Sequence, residues 1–211
     1  MNDMLKHEIK YRGKKILDSL NKHVILCGCG AIGSNLAVNL VCQGFTKLSL
    51  VDCDRVEGHN IGTQAYTTHD VGRLKVHSLE HILYEISDFD DLEILQFNKR
   101  ITKTKAPLKG DIIIDAFDNT ESRQILKDYG DKHNIPVLHG GLYEDYAECI
   151  WNNNYIVPQT TEGLDVCDYP LARNIVVLLT AVMSEEIIKF CSGQSLNDWS
   201  ITLKDLQIKR L

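Results

Sequence analysis

HVILCGCGAIGSNLAVNLVCQG, residues His23–Gly44, is the stretch that decides the fold. Its opening HVILCG is a short, almost wholly apolar run, the pattern of a strand buried on both faces of a sheet. Gly28, Gly30 and Gly33 follow in the spacing G-x-G-x-x-G, and helical periodicity then runs from Gly30 to Gln43, with Gly44 in the C-terminal cap position. Such a strand–turn–helix unit needs its first glycine for the tight turn. The second lets backbone N–H groups approach a phosphate, and the third lets helix pack on strand. The helix N-terminus adds partial positive charge for an anion. Asp52 ends the next apolar run, LSLVD (Leu48–Asp52), where a carboxylate can accept hydrogen bonds from ribose hydroxyls.

Outward from this unit, strands and helices alternate. Met4–Leu20 has the spacing of an N-terminal helix, Gly72–Ile86 of a second and Asn119–His133 of a third, with Asn119 as a natural N-cap. Leu92–Phe97, Asp111–Phe117 and Ile135–Gly141 read as strands. Alternation of this kind predicts an α/β fold, a doubly wound, Rossmann-like, mostly parallel sheet. From about Tyr143 the pattern changes. Glu148–Val157 and Ile201–Ile208 alternate like antiparallel or edge strands, and Leu171–Phe190 reads as a long apolar helix between them. Pro158–Pro170 is polar and irregular and reads as a mobile loop. The whole chain, 1–211, is expected to be one nucleotide-binding domain. Its N-terminal helix lies within 1–21, and a C-terminal part over 143–211 carries a crossover loop and antiparallel edge strands.

Composition narrows the function classes. Of 211 residues, 44% are apolar and 25% charged, the balance of a globular chain. A net charge of −6 argues against a nucleic-acid binder working by bulk charge. No apolar run is long enough to span a bilayer, and the N-terminus has no apolar segment of the secretory kind, so neither a membrane protein nor an exported one is expected. The seven cysteines show no C-x-x-C spacing, and several sit inside apolar runs. That pattern suits a reducing, cytoplasmic setting without a thiolate zinc site.

Three further features move the ligand from a dinucleotide to a nucleoside triphosphate. Val51–Gln64, VDCDRVEGHNIGTQ, is a polar loop with Asp54, Asn60 and Gln64; HDVGRLK (His69–Lys75) puts Lys75 in the first turn of a helix; and DAFDN (Asp115–Asn119) leaves Asp115 and Asp118 at the carboxyl end of a buried strand. A carboxylate facing phosphates there makes sense when a divalent cation bridges the two.

The order GCGAIG, VDCDRVEGHN-x-x-x-Q, VG-x-x-K and D-x-x-DN resembles the ThiF/MoeB/HesA family, the adenylating fold shared with ubiquitin-activating enzymes. The resemblance covers roughly residues 10 to 190 and is to the short, zinc-free members. It implies ATP and Mg²⁺ as cofactors. Its partner would be a small ubiquitin-like sulfur-carrier protein or peptide, adenylated on a C-terminal glycine carboxylate by a homodimer. Carried over, Gly28, Gly30 and Gly33 form the phosphate-side turn, Asp52 is the ribose ligand, and Asn60 and Gln64 fall in the nucleotide-side loop with Asp54. Lys75 lies on the phosphates and Asp118 holds the magnesium. Where the family loop reads N-x-x-R-Q, this chain has Thr63, and a hydroxyl does not replace a guanidinium on phosphate. Arg12 is the substitute that the resemblance suggests, because family members bring an N-terminal arginine into the site, often from the partner subunit. Cys167, in GLDVCDYP, stands where some family members carry a cysteine that becomes linked to the carrier, although the adjacent Asp168 disfavours its thiolate. His139 reads as a satisfied pocket-edge residue. Two alternatives stay open: a non-catalytic nucleotide-binding member of the fold, and a nicotinamide-dependent oxidoreductase.

Overall fold

The computed structural model describes residues 3–102, 108–159 and 170–211. Five strands run parallel: β1 (Val24–Cys27), β2 (Lys47–Val51), β3 (Glu93–Phe97), β4 (Ile112–Asp115) and β5 (Val137–Tyr143). Three more, β6 (Tyr146–Trp151), β7 (Trp199–Thr202) and β8 (Gln207–Arg210), continue the same sheet antiparallel. The order across the sheet is β3-β2-β1-β4-β5-β6-β7-β8. The chain winds one way from β1 to β3 and then crosses back to β4, so a crevice opens where β1 and β4 part at their carboxyl ends, the place where ligands bind in such sheets.

Period-two alternation explains why the central strands are apolar throughout. Val24, Leu26, Ile112 and Ile114 face one layer, packed with residues of α3 (Ala31–Gln43), α4 (Lys75–Glu85) and α6 (Arg173–Cys191). Ile25, Cys27 and Ile113 face the other, against Ile125 and Leu126 of α5 (Thr120–His133) and against Leu108. Each such side chain stabilises the fold by about 1.5–3 kcal/mol of apolar burial before entropy is counted. On α6 the buried Glu186 accepts hydrogen bonds from Trp199 Nε1 (2.8 Å) and the Asn197 backbone N–H (2.9 Å) and pairs with Lys189 (2.6 Å). This carboxylate pins β7 to the helix.

Three expectations are corrected. The N-terminal helix is two short helices, α1 (Lys6–Arg12) and α2 (Lys14–Asp18), because Gly13 at φ +83° breaks the backbone between them. The last strand is a hairpin, β7 and β8, turned at Leu206 with φ +51°. Glu148–Val157 is strand only as far as Trp151. Most of the polar Pro158–Pro170 segment lies outside the described residues.

Candidate functional site

The carboxyl ends of β1 to β4 and the first turns of α4 and α5 enclose an open cleft of about 610 Å³. Its lining includes Gly28, Gly30, Asp52, Asp54, Lys75 and Asp118. Residues scattered over ninety positions of sequence thus meet in one place, because parallel strands send all their exits to the same edge.

The glycine turn divides its work unequally. Gly28 sits at φ +95°, and a Cβ there would lie 2.6 Å from Ala116 O; a Cβ on Gly33 would lie 1.8 Å from Gly28 O. Both are demanded by packing. At Gly30 a Cβ would meet nothing within 4 Å, so that position leaves open space over the start of α3, where N–H groups lack helical partners. The turn is braced from below by Tyr66, whose hydroxyl donates to Cys29 O at 2.7 Å and lies 3.3 Å from Lys75 O.

Asp52 is buried at the end of β2, and both its oxygens accept backbone hydrogen bonds: Oδ2 from Cys29 N and Oδ1 from Asp54 N, each at 2.7 Å. Burial pushes its carboxyl above the ordinary range, while the Lys75 charge and the two N–H groups pull it back. Each oxygen keeps a lone pair toward the cleft. Lys75 is the first residue of α4; its N–H donates to Asp54 O (2.9 Å) and its ammonium lies 3.5 Å from Asp54 Oδ2. The Lys75 side chain is 11% exposed and Asp54 64% exposed, so among the described residues the cation's ion-pair partner is a screened carboxylate.

Asp118 is exposed at the exit of β4. It is not spent on capping α5: that task falls to Asn119, whose Oδ1 accepts from Ser122 N at 2.9 Å. Asp118 Oδ1 itself accepts from Asn119 Nδ2 at 3.4 Å.

Other expected site residues lie elsewhere. Gly33 is beneath the turn. Asn60 is buried and closes its own 3-10 turn by accepting from Glu57 N at 2.9 Å; Gln64 follows it, with Oε1 buried and without a partner among the described residues. Neither lines the cleft, nor does Thr63, whose carbonyl accepts from Asn35 Nδ2 at 2.8 Å. Arg12 pairs with Glu8 (2.5 Å) and makes a two-pronged contact with Glu185 of α6, away from this chain's own cleft. The Glu185 hydrogen bonds drive its guanidinium pKa higher still. Cys167 lies outside the described residues.

Sequence reading missed Lys99 and Arg100, which form the cleft wall at the end of β3. Two adjacent cations just beyond a strand's carboxyl end were the available signal. It also missed Arg123, which donates to Tyr155 OH (2.7 Å) and Gly140 O (2.9 Å) and lies 3.9 Å from Asp115. Burial opposes its charge, but Asp115, Tyr155 and Asp118 together outweigh this and raise its pKa.

A model of the ThiF family matches residues 4–209. The chain belongs to the ThiF family. Membership sets aside the oxidoreductase reading. Among curated relatives, the chain is 28% identical over 142 residues to tRNA threonylcarbamoyladenosine dehydratase 2 of Saccharomyces cerevisiae, covering 64% of this chain and 31% of that one. It is 31% identical over 142 residues to a probable molybdopterin-synthase adenylyltransferase of Porphyra purpurea (65% and 36% covered). It is 32% identical over 127 residues to the sulfur carrier protein ThiS adenylyltransferase of Bacillus subtilis (58% and 38%). The chain spans about a third of the length of these relatives. In structure it is similar to E. coli MccB crystallised with MccA-N7isoAsn: TM-score 0.86, 18% identity, all of this chain and 72% of that one. That likeness shows the ThiF-type fold, including the antiparallel strands after β5. Among the described residues no helix is long and apolar enough to cross a membrane.

Proposed function

We propose that this chain is an ATP- and magnesium-dependent adenylyltransferase that activates the C-terminal carboxylate of a small ubiquitin-like sulfur-carrier protein or a peptide. The observation that carries this reading is the convergence of the glycine turn, Lys75 and Asp118 on one cleft at the point where the sheet reverses direction. Adenylyltransferases among the curated relatives support it.

The residues suggest a division of labour. The opening turn of α3 receives phosphate oxygens over Gly30, Asp52 accepts from the ribose hydroxyls, and Lys75 neutralises phosphate charge. The acceptor carboxylate attacks the α-phosphorus, the bond from that phosphorus to the bridging oxygen breaks, and pyrophosphate leaves. No proton need be removed, so catalysis rests on positioning and charge neutralisation. The donor set fits a divalent cation: Asp118 is exposed and accepts one long hydrogen bond, from Asn119 Nδ2 at 3.4 Å, and the cleft's cations Lys75, Lys99 and Arg100 are matched in number by Asp52, Asp54 and Asp118. Held by Asp118, magnesium would supply the positive charge that lets a polyanion enter so balanced a site. In this reading Arg12 reaches the site of a second copy in a homodimer. The exposed Val177 and half-buried Leu178 and Val182 of α6 supply an apolar stripe for that contact. The buried free thiols accord with a cytoplasmic setting.

The test is isotopic ATP–pyrophosphate exchange with candidate acceptors ending in Gly-Gly and with short peptides. Acceptor-dependent exchange is expected. ATP binding with no exchange for any acceptor would instead favour a non-catalytic member, the reading that Thr63 motivates.

A further inference from the structure

We propose that His139 is a positioning residue: through Asp115 it fixes the exit of β4, and with it the orientation of Asp118 toward the cation of the bound nucleotide. The proposal rests on the nucleotide reading above and deepens it.

His139 lies on β5, outside the cleft lining, and is 1% exposed; Asp115, the last residue of β4, is wholly buried. A carboxylate so placed is costly unless every lone pair it presents is engaged. Asp115 Oδ1 accepts the Phe117 backbone N–H at 3.1 Å, and Oδ2 lies 2.7 Å from His139 Nδ1. The other ring nitrogen, Nε2, lies 2.8 Å from Asn152 Oδ1. The Asn152 amide cannot be turned round, because its Nδ2 already donates to Lys127 O (3.3 Å) and to the Asp131 carboxylate. Asn152 Oδ1 therefore accepts, and Nε2 carries a proton. Nδ1 faces a carboxylate, so a second proton lies between Nδ1 and Oδ2. The ring is held flat against Tyr155 at 3.7 Å between centroids, and the Tyr155 hydroxyl takes a hydrogen bond from Arg123.

The chain of contacts ends at the metal side of the cleft. Asp115 caps Phe117 N, Ala116 N donates to Cys27 O at 2.8 Å, and the next residue along is Asp118. Apart from its neighbour Asn119, Asp118 is oriented by this backbone. A cap on Phe117 needs only a neutral acceptor. What the second bond adds is rotational fixity: Oδ2, tied to the ring and 3.9 Å from the Arg123 guanidinium, keeps Asp115 from swinging Oδ1 off Phe117. Groups hydrogen-bonded directly to a metal ligand typically change metal affinity by about 10- to 100-fold when removed, and a residue acting through backbone falls at the lower end of that range.

Two measurements on the full chain test this. Amide hydrogen exchange at Phe117 needs no ligand. His139→Phe, which keeps the ring and its stack, is expected to speed that exchange by about tenfold or more, with His139→Gln (one N–H restored toward Oδ2) returning most of the protection. Calorimetric titration with ATP, in magnesium and in EDTA, gives the factor by which magnesium tightens binding. His139→Phe is expected to cut that factor by about tenfold while leaving affinity in EDTA within about twofold. Asp115→Ala should act likewise and serves if His139→Phe does not fold. Asp115→Asn should preserve both readouts: its amide can donate to a neutral Nδ1 while Oδ1 still caps Phe117. Unchanged Phe117 exchange in His139→Phe and Asp115→Ala would overturn the proposal. So would an equal loss of affinity with and without magnesium, or an Asp115→Asn chain as impaired as Asp115→Ala. A wild-type chain that binds no ATP would refute the nucleotide reading alone, and the exchange result would still decide whether His139 fixes the β4 exit.

Discussion

Lys75→Met isolates the charge at the cleft wall. Methionine keeps the length and apolar character of the stem, so the packing at the start of α4 is retained and only the ammonium is lost. The structure bounds the cost to the fold. Among the described residues the ion pair broken is with Asp54, at 3.5 Å, and that carboxylate is 64% exposed, so the pair contributes at most about 1 kcal/mol; buried Asp52 also loses the positive charge that holds its carboxyl down. Against this, an ammonium only 11% exposed no longer has to be desolvated. Thermal stability should therefore stay within about 1 kcal/mol of wild type. Binding should not. A charged hydrogen bond to phosphate contributes about 1.5–3 kcal/mol, which corresponds to about a 10- to 100-fold rise in the Kd for ATP. AMP, which lacks the β- and γ-phosphates, should lose much less. Calorimetric titration with ATP and AMP, alongside a melting curve, reads all three quantities. An unchanged Kd for ATP in a folded Lys75→Met chain would refute the assignment of Lys75 to the phosphates, whatever the activity did.

Asp118→Ala should abolish magnesium-dependent pyrophosphate exchange while shifting stability by no more than about 0.5 kcal/mol, since the side chain is exposed; retained activity would remove Asp118 from the site. Gly33→Ala should cost about 3 kcal/mol or more, because its Cβ would stand 1.8 Å from Gly28 O, and should lower Tm by about 6–12 °C with loss of ATP binding; a melting curve unchanged from wild type would contradict that contact. Asp70 gives a pH signature. Burial pushes its carboxyl up, but hydrogen bonds from the Thr67 N–H and hydroxyl (2.8 Å each) outweigh this and hold it below the ordinary value. A depressed folded value means stability that is present above the unfolded carboxylate pKa of about 3.9 and lost as pH falls through the folded one. Asp70→Asn should therefore be less stable by about 1 kcal/mol at pH 7, with the gap closing as pH falls through the depressed folded value, as urea titrations at several pH values would show; a gap independent of pH would refute the charge as its cause.

What could be read from the sequence was local. The strand, the glycine turn and α3 form one contiguous pattern, and Asp52, Lys75 and Asp118 each stand at a recognisable strand exit or helix start. That these exits share an edge follows from parallel pairing alone. What could not be read depended on partners distant in sequence. Lys99 and Arg100 matter because β3 lies beside β2, and the strand order carries that information, not the residues. Arg123, Tyr155, His139 and Asn152 meet only because β6 turns back beside β5, so each looks unremarkable in its own window. The broken N-terminal helix is a different failure: apolar spacing ran across Gly13, and a period-based reading does not register that one positive φ ends the hydrogen-bond ladder.

Thr63 takes on a more definite meaning once charge and burial are considered together. Exposed charges such as Asp54, Lys99 and Arg100 are screened over about 8 Å at physiological salt and steer a ligand more than they hold it. The buried charges are the ones that count, and here they are Asp52 and Lys75, which largely oppose each other. With a threonine where the family loop carries a guanidinium, and with this chain's Arg12 engaged by Glu8 and Glu185, the wall offers a triphosphate little unopposed positive charge of its own. In the proposed reading, nucleotide affinity then leans on the cation that Asp118 holds and on Arg12 of a second copy. A carboxylate given that burden has to be aimed well, and the proposed task of the buried, hydrogen-bonded Asp115–His139 pair behind the loop that carries it is to aim it.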